Sequence, residues 1–212
     1  MYRLYYYPLN ASMAPHMVLN AIGAEHRLYM VDRKSEAQKS VDYMKLNPTG
    51  RIPTLVDGDQ AIFESAAICV HLAEIHPEAN LIPEIGSDER ALFFQWLMYL
   101  TSTLQAELMI YFYPGRHMRE GAETGHAVRQ QEARLMEMWK LLDAELADRP
   151  FLVGQTPSVC DYFLFMLAIW SDELPKPALA FANLNPYLKK IARLPAVVNA
   201  CEVEGFSLQD YK

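Results

Sequence analysis

The sequence predicts a chain in two parts. An α/β domain with the thioredoxin-like order βαβαββα covers residues 1–80, and an all-helical bundle covers residues 88–212. Three observations predict it. Strand-length apolar runs alternate with helical runs only in the first third of the chain. A stretch rich in Pro, Gly and Ser, "PEANLIPEIGSDE", then separates the parts. Beyond it apolar residues recur every three to four positions, as in Phe93, Leu97, Leu100, Leu104 and Leu108, and again in Leu135, Met138, Trp139, Leu142 and Leu146.

The elements follow in order. "YRLYYY" is an aromatic-rich strand, and a turn around Pro8–Asn10 leads to the helix "APHMVLNAIGA", which Gly23 ends. "HRLYMVD" is the second strand. "SEAQKSVDYMKLNPTG" holds a short helix stopped by Asn47-Pro48 and Gly50. "IPTLV" and "QAIFE" form a hairpin with Asp57-Gly58 as its tight turn, and "SAAICVHLAEIH" closes the domain as a helix. In the second part the nine-residue apolar run "YFLFMLAIW" is too short to span a membrane and suits the buried central helix of a bundle. Ser158-x-x-Asp161 opens it as a capping box. Two short helices near 184–193 and 196–203 finish the chain.

Composition excludes several classes of function. A net charge of −7 without a Lys/Arg cluster argues against nucleic acid. The cysteines Cys69, Cys160 and Cys201 are odd in number and far apart, so neither a disulfide framework nor a Cys-x-x-Cys motif is available. No histidine spacing suits a metal. With no 18-residue apolar stretch and no signal sequence, the expected location is the cytoplasm, with no membrane partner.

"NPTGRIPTLVDGDQAIFESAAI" is the most informative stretch. Pro53 opens an apolar strand, where a cis bond would leave the Ile52 amide and carbonyl free to pair with an extended peptide. Glu64-Ser65 lies where a strand hands over to a helix. There the first-turn amides and the Ser65 hydroxyl form a socket for a carboxylate, and Glu64 can receive an ammonium group. Together these describe a site for a small zwitterionic peptide. On the plainer alternative Ser65 is only an N-cap and Pro53 only a turn former.

At this point the sequence resembles the cytosolic glutathione S-transferases over almost its whole length, and is most similar to the bacterial branch called beta. "LYYYPLNASMAPHMVL" resembles that branch's first strand, loop and helix; "NPTGRIPTL" its cis-proline segment; "ESAAI" its acidic-serine motif; and "SVCDYFLF" its capping box. The resemblance implies glutathione as co-substrate, a small hydrophobic electrophile and a homodimer. It gives Ile52 and Pro53 to the cysteinyl part of glutathione, and Glu64 and Ser65 to the γ-glutamyl end. Ser12 matches the serine after the beta-class cysteine, but the cysteine position is Ala11 here, and Gln105 replaces the helical-domain histidine.

Glutathione brings its own sulfur, so the protein's task is to raise the thiolate fraction. A hydroxyl donated by Ser12 can do this, the amide of Asn10 or a backbone amide can take the role instead, or Ser12 is a plain cap. His16, one turn after Ser12, either tunes the serine, reaches substrate or packs locally. Tyr111 and Tyr113, with Phe112 between them, either line an apolar electrophile pocket in the cleft between the domains or fill an interface, and Arg116 suits an acidic substrate or product. The expected function is glutathione conjugation. The alternatives are glutathione-dependent disulfide or peroxide reduction, and a non-catalytic binding protein with the same fold.

Overall fold

A computed structural model describes residues 1–119 and 123–212. Among the described residues the strands are β1 (Tyr2–Tyr6), β2 (His26–Met30), β3 (Thr54–Asp57) and β4 (Gln60–Phe63), in sheet order β2-β1-β3-β4. β1 and β2 run parallel with Leu4 opposite Leu28, so the segment between them is a crossover carrying α1 (Met13–Ala21). β3 is antiparallel to β1, with Leu4 opposite Leu55, and β4 is antiparallel to β3. Leu4 and Leu55 are fully buried, and α1 and α3 (Ser65–Ile75) pack together, α3 also touching β3 and β4. α2 (Val41–Leu46) turns its one buried residue, Tyr43, inward, where its ring meets that of Tyr5.

The hairpin turn differs from the expected one. Asp57 pairs with Gln60, so the two loop residues are Gly58 and Asp59. Gly58 takes φ +56° at the first loop position, the place glycine holds in the primed turn that matches strand twist.

The strand directions have one consequence for function. β1, β2 and β4 end, and β3 begins, at the same end of the sheet, because Thr54 lies beside both Tyr5 and Phe63 and Tyr6 lies opposite Met30. The loop 7–12, the segment 47–53 and Glu64-Ser65 therefore all emerge at that end.

The chain divides into two compact units, one of Met1–Pro83 with Ile191–Lys212, the other of Glu84–Lys190. Of the helical part expected over 88–212, the closing stretch 191–212 thus groups with the first unit. The closing segment carries α9 (Pro195–Glu204), which packs on α1 and accepts a hydrogen bond from Asn20 Nδ2 at the Ala196 carbonyl, 3.3 Å.

In the second unit α4 (Asp88–Met98) continues through a π-helical stretch, Tyr99–Gln105, into α5 (Ala106–Phe112). The Thr101 and Ser102 hydroxyls donate to the carbonyls of Leu97 and Met98, at 2.9 and 2.6 Å, taking up acceptors where the turn widens. α6 (Gly125–Glu145) follows. α7 (Val159–Trp170) is the central helix, with eleven of its twelve residues buried, which explains its lack of a polar face. At its start Asp161 Oδ2 accepts the amide and hydroxyl of Ser158 at 2.7 and 2.8 Å, as the capping box predicts for the aspartate. The other oxygen, Oδ1, accepts the Leu152 amide and the Tyr187 hydroxyl of α8 (Leu184–Ile191) at 2.9 and 2.6 Å. Among the described residues no helix is long and apolar enough to cross a membrane.

Candidate functional site

The Ile52-Pro53 bond is cis, and the segment carrying it is held from behind. Asn47, 1% exposed, donates through Nδ2 to the Arg51 carbonyl at 2.8 Å and accepts the Thr49 amide and hydroxyl at 3.1 and 2.7 Å. The Tyr43 hydroxyl donates to the same Arg51 carbonyl at 2.7 Å and also bonds Thr54 Oγ1 at 2.9 Å. Those contacts leave the neighbouring residue unengaged: among the described residues neither the amide nor the carbonyl of Ile52 has a hydrogen-bond partner. Such a bare edge is what an extended peptide pairs with. In the sequence Asn47-Pro48 reads only as a helix stop, so the supporting role of Asn47, like that of Tyr43, goes unseen there.

Glu64 caps the start of α3 with φ +72° and ψ 115°, a region that side chains other than glycine avoid. Its carboxylate is exposed and accepts no hydrogen bond among the described residues. Ser65, 6% exposed, has a hydroxyl without a partner there too, and it is the first residue of an eleven-residue helix, where the first-turn amides have no partner within the helix. The structure thus brings Ile52, Pro53, Glu64 and Ser65 to one end of the sheet. Arg33 and Lys34 follow β2 at that same end.

In the loop 7–12 the backbone engages Ser12. Its hydroxyl donates to the Tyr7 carbonyl at 3.1 Å and accepts the Tyr7 amide at 3.3 Å, and the residue is 0% exposed. A serine has one hydroxyl proton, and here the backbone holds it. Nor does Ser12 cap α1 with its side chain. Asn10 is half-buried; its Oδ1 accepts the Ala11 amide at 2.7 Å, while its Nδ2 donates to nothing among the described residues. Of the two side chains, only that of Asn10 keeps a donor in hand.

Of the readings open to His16 the structure supports local packing: it is 1% exposed, and its Nδ1 lies 2.8 Å from Glu204 Oε1. Gln105, Tyr111, Tyr113 and Arg116 all belong to the second unit: Gln105 ends the π-helical stretch, Tyr111 lies in the last turn of α5, and the Arg116 guanidinium covers the Tyr113 ring at 4.0 Å. Burial and the carboxylates of Glu132 and Glu173 push the Tyr111 phenol up.

All three cysteines are buried free thiols; burial pushes Cys69 up, and Cys201 up to about 12. Among the described residues no cluster of His, Cys, Asp or Glu could hold a metal ion.

Comparison with known proteins gives the following. Residues 2–74 match the family described as glutathione S-transferase, N-terminal domain, and residues 125–197 match glutathione S-transferase, C-terminal domain. The chain is 31% identical over 163 residues to glutathione S-transferase F10 of Arabidopsis thaliana, covering 74% of each chain. It is similar to the solved bacterial beta-class glutathione S-transferase of Sphingomonas chungbukensis, with TM-score 0.84 and 28% identity, over 97% of this chain and 100% of that one. A sphingomonad glutathione S-transferase complexed with glutathione superposes with TM-score 0.83 at 28% identity, again over 97% and 100%.

Proposed function

The chain belongs to the glutathione S-transferase family, and from that premise we propose that it binds glutathione at the strand-end site and activates the thiol through the Asn10 amide for attack on a small hydrophobic electrophile. The observation that carries this assignment is the contrast within one loop: the Ser12 hydroxyl is spent on Tyr7, while Asn10 Nδ2 has no partner among the described residues.

Each part of the peptide then has a counterpart. The cysteinyl backbone pairs with Ile52, the γ-glutamyl carboxylate takes the Ser65 hydroxyl and the α3 amides, and its ammonium takes Glu64. Arg33 and Lys34 are the class of residue the glycyl carboxylate needs. A free thiol with a pKa of about 8.5 is roughly 3% ionised at pH 7. Lowering that value by two makes it roughly three quarters ionised, for about 2.7 kcal/mol of preference for the anion, within reach of an amide donor working with a helix start. For the electrophile we keep Gln105, Tyr111, Tyr113 and Arg116, all residues of the second unit, as candidates. We place the chain nearest the beta branch, with Ala11 where that branch has cysteine. Without a reachable protein thiol, disulfide reduction would need a second glutathione as the attacking sulfur.

The test follows thiolate ultraviolet absorbance of bound glutathione against pH. Asn10→Ala raises the thiol pKa and lowers kcat/KM roughly thirty- to hundredfold, about 2–2.7 kcal/mol. Ser12→Ala leaves the thiol where it was. A shift in Ser12→Ala with none in Asn10→Ala would return the role to the serine. Hydroperoxide turnover far exceeding conjugation would favour the reductase alternative.

Glu64 separates stability from function. Glycine relieves the positive φ, so Glu64→Gly should leave the urea midpoint unchanged or raise stability by up to about 1 kcal/mol. The same change removes the ammonium partner, and calorimetry should find glutathione bound at least roughly tenfold more weakly. Unchanged affinity would remove Glu64 from the site.

We further propose a homodimer. α4 leaves Leu92, Phe94 and Met98 exposed, at 38%, 36% and 47%, more apolar surface than a lone amphipathic helix needs. Sedimentation velocity at micromolar protein should return twice the 24.3 kDa chain mass, and Phe94→Asp with Met98→Asp should return one chain mass.

A further inference from the structure

We propose that Glu204, at the far end of the chain, is a positioning residue for the thiol-activating loop, and this rests on the assignment of Asn10 as the donor. Glu204 is the last residue of α9, where the helix dipole disfavours a carboxylate, and it is 5% exposed, where desolvation disfavours it again. A side chain kept at such a place is held by specific contacts, and it has two. Oε2 accepts the Leu9 amide at 2.9 Å, and Oε1 accepts from His16 Nδ1 at 2.8 Å.

The two contacts bracket Asn10 in the chain. Leu9, its immediate neighbour, sits at φ +55°, a left-handed backbone that leucine avoids unless something holds it. His16 lies on the first turns of α1, and its amide donates to the Ser12 carbonyl at 3.0 Å. Between them the Met13 amide donates to the Asn10 carbonyl at 2.9 Å, and the Ser12 hydroxyl returns to Tyr7. One buried carboxylate therefore ties the backbone before Asn10 to the helix after it. Without that tie Leu9 relaxes to negative φ, and the peptide plane that leads into Asn10 turns with it. Ile52, Glu64 and Ser65 do not depend on Glu204, so glutathione affinity and thiol activation should separate.

The experiment uses the full chain with glutathione and two readings: amide exchange at Leu9 by NMR, and the thiolate titration of bound glutathione. Glu204→Ala should exchange the Leu9 amide at least roughly tenfold faster, with the slow α3 amides unchanged. The thiolate-to-thiol ratio at pH 7 should fall about tenfold while the glutathione Kd stays within about threefold. Glu204→Gln, which keeps an acceptor for Leu9, should restore both readings. The double change His16→Leu with Glu204→Leu fills the same space with apolar groups and frees only the Leu9 amide, so it answers the question if the alanine variant does not fold. Unchanged Leu9 exchange, or a freed loop with an unchanged thiolate ratio, overturns the proposal. So does faster exchange spread through the whole unit, which marks a purely structural role. Asn10→Ala runs alongside: if it leaves the thiolate ratio alone, the donor assignment fails, while Leu9 exchange still reports on Glu204.

Discussion

Asp161→Ala should destabilise the protein by about 3–5 kcal/mol, enough to cost much of a typical domain's stability. The carboxylate accepts from four donors, and its loss strands the amides of Leu152 and Ser158 and the hydroxyls of Ser158 and Tyr187 in the core. Each buried donor left without a partner costs about 1–3 kcal/mol, and relief of the buried charge offsets part of the sum. In a chain of this size the melting temperature should drop by roughly 10 °C or more. Asp161→Asn keeps one acceptor oxygen and should lose about half as much. A midpoint within about 1 kcal/mol of the parent in Asp161→Ala would show that the network contributes little.

The same group has a definite sign with pH. Burial raises its folded pKa, with the four hydrogen bonds pulling the other way. Between the unfolded value of about 3.9 and that raised value the folded chain holds the extra proton, so stability from Asp161 grows as pH falls through this window. Asp161 therefore does not drive acid unfolding. The stability of Asp161→Asn should lack this gain.

Asn47→Ala is the second large effect, and it falls on binding. Asn47 Nδ2 and Oδ1 fasten Arg51 and Thr49, the residues that present Ile52. With the side chain gone, segment 48–52 must be ordered by glutathione itself. Ordering one to two residues costs about 1–2 kcal/mol each, so affinity should fall at least roughly fivefold and by as much as roughly thousandfold. Stability should fall by only about 2 kcal/mol. Isothermal calorimetry against a denaturant melt separates the two. An affinity within about twofold of the parent, at reduced stability, would show that the segment needs no such support.

Much of this was legible in the sequence because it is local. The succession of elements along the chain, the Pro53 turn and the Glu64-Ser65 handover are set by neighbours within a few residues. So is the bond from the Ser158 amide to Asp161. What escaped depends on how a loop closes and on where distant pieces meet. The Ser12 hydroxyl looks available until the loop closes on Tyr7. The readings of His16 stay open until a residue 188 positions away reaches it. The helical pattern of 195–204 shows that α9 has a face to bury, but it does not say that α1 is what the face meets. The hairpin was offset by one residue because Asp-Gly and Gly-Asp are both acceptable two-residue turns, and only the strand register decides between them.

That the first unit is closed by residues 191–212 sets a clock for biosynthesis. At about 5–20 residues per second, the ribosome needs roughly 10–40 s to go from His16 to Glu204. During that time the sheet and its first helices exist without the last helix that α1 packs against. The nascent chain would hold the residues proposed to bind glutathione before it holds the carboxylate that bonds the Leu9 amide. A truncation, frameshift or premature stop anywhere in the helical unit therefore damages the amino-terminal unit as well.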